Sequence, residues 1–209
     1  MNDEAFWSAR YENAGDDYLF GVAPNRFLAQ HAALFEAGES ALSIADGEGR
    51  NSVWLAEQGL DVTAAEISPV AVRKARRLAD ARGVSVHFEI ADLLAPVWPP
   101  AIAEGAFDWV IGIFIQFVGA DDRRQLFAGM QHATAPGGRI LLLGYTPAQL
   151  EYKTGGPGIL ENLYTPESLR TEFRGWVMEE LVAYEDEVTE GSAHAGRAAL
   201  IGMVARKPG

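Results

Sequence analysis

The feature that most constrains this chain is a regular alternation, between residues 41 and 143, of short apolar runs with stretches of helical period. Residues 41–45 form an apolar run that ends in Asp46-Gly47-Glu48-Gly49, and a helical stretch over 51–58 follows, stopped by Gly59. Residues 60–65 are a second run, ending at Glu66. Ser68-Pro69 then supplies the N-cap and first-turn residues of a helix that runs to Arg82 and closes at Gly83. Residues 84–90 make a third run with Asp92 just beyond it, and residues 107–114 a fourth. A helix is expected over 121–134, a turn at Pro136-Gly137-Gly138 and a fifth strand over 139–143. Strand and helix at this rhythm predict a parallel sheet covered on both faces.

The remainder of the chain changes character. Thr165-Pro166-Glu167 opens a short helix, and two long strands are expected over 176–188 and 195–205, joined by Thr189-Glu190-Gly191-Ser192. Strands joined that tightly must be antiparallel, since a parallel pair needs a long crossover. Ahead of the first strand lies a helical preface over 3–37, rich in aromatics (Phe6, Trp7, Tyr11, Tyr18, Phe20), with a helix expected from Pro24 to Phe35. The preface and the irregular Gly155-Gly156-Pro157-Gly158 segment are candidate mobile walls of a site.

Composition narrows the function. Of 209 residues 48% are hydrophobic and 22% charged, which suits a globular chain with a sizeable core. The formal charge of −12 would repel nucleic acid and an anionic membrane at long range, so neither is an expected partner. Without cysteine there is no disulfide, thiolate nucleophile or Cys-based metal site, and no ligand spacing for a metal stands out. No apolar run reaches the 18 or so residues of a membrane span, and the acidic Met1-Asn2-Asp3-Glu4 start is unlike a secretory signal. A cytoplasmic location is expected.

In an open α/β sheet, ligands bind at the carboxyl ends of the strands. The distinctive polar residues of this chain sit there. Gly47-Glu48-Gly49 after the first strand is either a nucleoside loop or an ordinary strand-to-helix turn. Glu66, ending the second strand, can accept both hydroxyls of a ribose, and Asp92 beyond the third can accept from an adenine amino group. Ser52 stands where a dinucleotide Gly-x-Gly-x-x-Gly would place its last glycine, which disfavours NAD.

Together these features resemble the class I S-adenosylmethionine (SAM)-dependent methyltransferases. Gly47-Glu48-Gly49-Arg50-Asn51-Ser52, Gly144-Tyr145-Thr146-Pro147 and the stretch from Tyr18 to Asn25 are similar to the tellurite-resistance and thiopurine methyltransferase-like branch. The resemblance covers nearly the whole chain. It implies one domain over 1–209 with residues 1–37 as a lid, built on a Rossmann-like, doubly wound, seven-stranded, mainly parallel sheet with a C-terminal antiparallel hairpin. The cofactor implied is SAM, with S-adenosylhomocysteine (SAH) as product and no metal. Its expected contacts are Trp7, Tyr18, Ala45, Asp46, Gly47, Gly49, Asn51, Glu66, Ile67, Asp92, Leu93 and Ile113. The chain departs from the family in the first strand, where Ser43 and Ala45 replace an acidic residue and a glycine. A turn through Ala45 is expected only with negative φ.

The expected acceptor is a small molecule, methylated by proximity and in-line alignment. Gln116, Tyr145 and His194 are the catalytic candidates. Many relatives carry His where this chain has Gln116, and an amide orients but cannot act as a base. Gln116 could equally be a solvent-facing strand end, and His194 a structural residue. His31, His87 and His132 are expected to be structural. A non-catalytic nucleoside-binding module and an NAD-linked oxidoreductase are the rival readings.

Overall fold

The computed structural model describes residues 4–102, 104–152, 154–191 and 194–209, with residues 194 and 195 described by their backbone alone. Seven strands form one sheet: β1 (Ser40–Ile44), β2 (Asp61–Glu66), β3 (His87–Ile90), β4 (Phe107–Ile113), β5 (Thr134–Tyr145), β6 (Val177–Glu190) and β7 (His194–Arg206). Their order is β3-β2-β1-β4-β5-β7-β6. The first five are parallel to one another, and β7 runs antiparallel to both β5 and β6. The doubly wound sheet with its terminal hairpin is therefore as expected.

Burial on both faces explains the continuous apolar strands. Leu42, Val110, Leu142 and Met203 pack with Leu126, Phe127 and Met130 of α5 (Ala120–Ala133) and Leu169 of the short helix Pro166–Glu172. Ala41, Ile111, Leu141 and Leu200 point the other way, against Phe27 and Leu28 of α2 (Arg26–Gln30) and Leu55 of α3 (Arg50–Glu57). Period-two alternation thus feeds two cores. Helix α4 (Pro69–Arg82) begins and ends where its Ser68 cap and left-handed Gly83 direct.

Three expectations change. The preface is α1 (Glu4–Asn13), an irregular stretch, then the short α2 capped by Asn25, whose side chain accepts from the Phe27 and Leu28 amides, and a 3-10 turn at Ala32–Leu34. The turn expected at residues 136–138 is absorbed into β5 as an irregularity, with pairing shifted between Phe107 and Trp109. Gly138 lies so close to the Asp108 and Phe107 carbonyls that a Cβ would meet them at 2.9 and 3.0 Å. The hairpin strands run on into the presumed turn, pairing Glu190 with His194, and Gly191 takes the positive φ of 62° that so tight a reversal requires.

Candidate active site

A cavity of about 390 Å³ opens at the carboxyl ends of β1, β2, β3 and β4. Its floor is made by Ala45, Asp46 and Gly47 after β1, Glu66 and Ile67 after β2, Ala91 to Leu94 after β3, and Ile113 and Phe114 after β4. Helix α1 roofs it with Phe6, Trp7, Arg10 and Tyr11, joined by Phe20. Residues Gly155 to Pro157 close a side. Of the expected cofactor contacts, Trp7, Ala45, Asp46, Gly47, Asn51, Glu66, Ile67, Asp92, Leu93 and Ile113 all line this one space, with Gln116 and Tyr145 beside them.

Two do not. Tyr18 packs on the α3–α4 side and donates its hydroxyl to the Lys74 carbonyl at 3.1 Å. Gly49 has φ 89°, and a Cβ there would stand 2.7 Å from the Ala75 Cβ. Its missing side chain lets α3 approach α4, whereas a ligand contact was the expected reason. His194 starts β7, but its side chain lies outside the described residues. None of His31, His87 and His132 lines the cavity; His31 bridges the Phe27 carbonyl and Glu180 at 2.8 and 3.0 Å.

The turn after β1 carries strain. Ala45 has φ 46°, a left-handed conformation that contradicts the expected negative φ and costs a residue with a Cβ about 1–2 kcal/mol. What holds it is the network around Asp46. Its carboxylate, 7% exposed, accepts from Ser43 Oγ at 2.7 Å and from both the hydroxyl and the amide of Ser52. Ser43 thus serves Asp46 as a hydrogen-bond donor. Burial raises the Asp46 pKa against the lowering pull of those bonds.

Glu66 is held the same way. Its Oε2 accepts from the Gly47 amide and its Oε1 from the Ser68 amide, both at 2.9 Å. Each oxygen keeps a second lone pair for a ligand hydroxyl. Burial, opposed by these amides and aided by the Asp46 charge, pushes its pKa up to about 7. Asp92 is exposed, with Oδ1 accepting from the Leu94 amide.

Gln116 is buried and its amide is committed. Nε2 donates to the Tyr145 and Asn162 carbonyls at 2.9 and 3.1 Å, and Oε1 accepts from the Tyr145 amide. The side chain takes the place of a strand partner for Tyr145 where β4 turns away through Phe114, at φ 57°. The Tyr145 ring stacks on Phe114 at 4.6 Å, and Gly156 lies so close that a Cβ there would meet the ring at 2.7 Å. Gln116 therefore braces the aromatic wall.

The roof is fastened by buried charges. Lys74 Nζ donates to the Tyr11 and Asp17 carbonyls and pairs with Glu48 at 2.8 Å, while Glu48 also accepts from the Leu19 amide at 2.7 Å. Arg50 pairs with Glu190 at 2.7 Å, and Asn25 donates to the same carboxylate. The hairpin tip thereby reaches the preface, Gly191 lying against Leu19 and Phe20. Sequence reasoning missed Arg10, Tyr11 and Arg50. The i, i+3, i+4 spacing of Trp7, Arg10 and Tyr11 was the available signal.

Residues 41–138 match a family described as a methyltransferase domain. That match spans a little under half of the chain. The order of the sheet and its reversed last strand are those of the class I fold. A demethylmenaquinone methyltransferase of Thermus thermophilus is 35% identical over 124 residues, 58% of this chain and 54% of that protein. The chain thus spans about half the length of this curated relative. Among solved structures, one from work on the conversion of a disulfide bond into a thioacetal group in echinomycin biosynthesis aligns at TM-score 0.79, with 22% identity over 98% of this chain and 91% of that one. The N-methyltransferase NodS of Bradyrhizobium japonicum WM9, crystallised with SAH, aligns at 0.72, with 15% identity over 97% of this chain and 99% of that one. These likenesses are of fold. Among the described residues there is no group of three or more His, Cys, Asp or Glu able to hold a metal, and no helix is long and apolar enough to cross a membrane.

Proposed function

We propose that the chain is a SAM-dependent methyltransferase acting on a small-molecule acceptor. The observation that carries this reading is the convergence of Gly47, Glu66 and Asp92, from the ends of three successive strands, on one cavity under an aromatic roof. Such a cavity is of the size that encloses a small ligand and its cofactor-like neighbours. The donor set fits SAM. Glu66 accepts the ribose hydroxyls, Asp92 the adenine amino group, and Ile67, Leu93 and Ile113 give apolar contact. When bound, SAM supplies a methyl group already activated by positive sulfur. The chain's contribution is to align the acceptor and exclude water, and positioning of that kind can supply much of a barrier reduction. Trp7 and the rest of α1 cover the ligand, and residues 1–37 act as the lid of a single unit. The Phe114–Tyr145 stack forms the wall against which a flat acceptor rests.

The acceptor we favour is electron-rich and needs little help in losing a proton, because the Gln116 amide is occupied by backbone and is no base. A relative whose name is demethylmenaquinone methyltransferase supports a small ring acceptor. The motifs from Tyr18 to Asn25 and from Gly144 to Pro147 support the tellurite-resistance and thiopurine-like branch. Incubation with methyl-labelled SAM and a panel of quinones, thiols and amines should release SAH with one class only. Tight SAH binding with no transfer across the panel would favour a non-catalytic binding module.

A further inference from the structure

Basic side chains are scarce in this chain and unevenly placed. Asp and Glu number 29 against 17 Lys and Arg, yet five of those 17 fall within residues 73–82, on α4. Lys74 is buried and already paired with Glu48. Arg73, Arg76, Arg77 and Arg82 are exposed, and Asp80 is the one acidic residue of the helix. Arg82 pairs with Glu57 at 3.1 Å, and Arg77 meets the fully exposed Asp16 at 3.4 Å. Arg73 and Arg76 have no carboxylate within ion-pair distance among the described residues; they reach the Pro69 and Phe88 carbonyls at 3.3 and 3.4 Å. Like charges three and four positions apart oppose the helix that carries them. A solvated face could be made with mixed charges and without that cost, so the cluster points to something outside the fold.

Arg73, Arg76 and Arg77 line a surface groove of about 540 Å³ between α1 and α4. Tyr11 and Val70, both buried, give it an apolar lining, and Glu12 is the one carboxylate there. At Gly15 a Cβ would meet nothing within 4 Å, so that part of the groove is open. Tyr11 lines both this groove and the candidate active site. Along the helix Arg73 and Arg77 are separated by a rise of about 6 Å. An extended chain presents every second side chain to the same face, about 6.6 Å apart. Carboxylates at alternate positions of an extended segment therefore match guanidinium groups one helical turn apart. The net charge of −12 opposes a long polyphosphate, whereas a short acidic segment lies within the roughly 8–10 Å over which nearby charges act unscreened.

We propose that the groove between α1 and α4 is a docking surface for an acidic, extended segment of a partner protein, held through Arg73, Arg76 and Arg77. Arginine clusters are a recurring means of recognising acidic motifs, because each guanidinium fork takes a carboxylate through two parallel bonds. Tyr11 and Val70 give apolar contact to the carbon atoms of the segment. The surface is independent of methyl transfer, and it explains why an acidic chain gathers its cations on one helix.

Fluorescence anisotropy at low salt, with a labelled peptide that alternates Glu with Ser, tests it. The native chain should bind the peptide. The triple variant Arg73→Gln, Arg76→Gln, Arg77→Gln should bind it about tenfold more weakly, the combined effect of three exposed ion pairs. A second triple variant, Arg124→Gln, Arg170→Gln, Arg174→Gln, removes the same charge at exposed positions on other elements. It should bind within about twofold of the native chain, since charges beyond a Debye length are screened. Arg76→Gln alone should show part of the loss, and it serves if the first triple variant folds poorly. Equal weakening by the two triple variants would overturn the proposal and reduce the effect to net charge. A native chain that does not bind the peptide would overturn it as well. Tighter binding of a single-stranded oligonucleotide of the same charge would overturn it in favour of nucleic acid.

Discussion

Glu66 is the residue on which the cofactor reading turns, and its environment makes a prediction about stability. Burial raises its pKa from an ordinary 4.5 to about 7. Between those values the folded chain keeps a proton that the unfolded chain has released, so this group's contribution to stability falls as pH rises from about 4.5 to 7. Above pH 7 the full cost is present, at most about 3 kcal/mol. Glu66→Gln removes it. The amide can accept from only one of the Gly47 and Ser68 N–H groups, so without ligand that variant should be less stable than the native chain near pH 4.5 and should gain on it steadily up to pH 8, as read by denaturant unfolding at each pH. A constant difference between the two proteins across that range would show that the carboxylate is not strained by burial. With SAH the native chain should be the more stable at pH 8, because only the ionised carboxylate accepts two hydroxyls. The strain at Ala45 and the committed amide of Gln116 show the same thing at this scale: a residue's type does not reveal which of its atoms are already used.

Among the elements, α1 and the irregular stretch after it depend on one buried lysine. Lys74 and Glu48 are each 4% exposed, and Lys74 also ties down two carbonyls of the preface. Replacing one partner of a buried pair strands the other charge, which costs about 3–5 kcal/mol. Lys74→Met should lose stability of that order, and hydrogen exchange should accelerate first in residues 11–25, ahead of β4 and β5. Adding Glu48→Gln should restore part of the loss. Exchange that accelerates evenly across the chain would mean that the preface is not separately held. Edge strand β6 shows a different use of charge. Glu179, bridged to Arg139 and Arg206 at 2.7 and 2.9 Å, and the exposed Glu185 and Glu187 discourage a second sheet from pairing there.

For the whole molecule, the site is assembled from segments spread between Phe6 and Pro157, so a ligand in it should stabilise the fold as a unit. Saturation with SAH at a hundred times its Kd contributes about 2.7 kcal/mol, which for a chain of this size raises Tm by roughly 5–10 °C. NAD should leave Tm unchanged; a shift with NAD and none with SAH would revive the oxidoreductase reading. How much of this was legible beforehand follows from where each signal resides. Strand and helix periods, the Ser68-Pro69 cap and the Gly83 stop are local, and each reappears in the structure within a few residues. The strand ends followed from them, and so did the gathering of Glu66, Asp92 and Ile113 on one cavity. The sequence by itself therefore determined the sheet, its reversed last strand and the gathering of polar residues at its strand ends, because backbone propensity and apolar period are written residue by residue. Only the tertiary structure decided that Tyr18 faces away, that Gly49 serves helix packing, that Gln116 braces Tyr145, and that Glu190 reaches Arg50 across 140 positions. Those outcomes depend on contacts between segments far apart in the chain, where side-chain geometry and burial, which no local pattern encodes, select the partner.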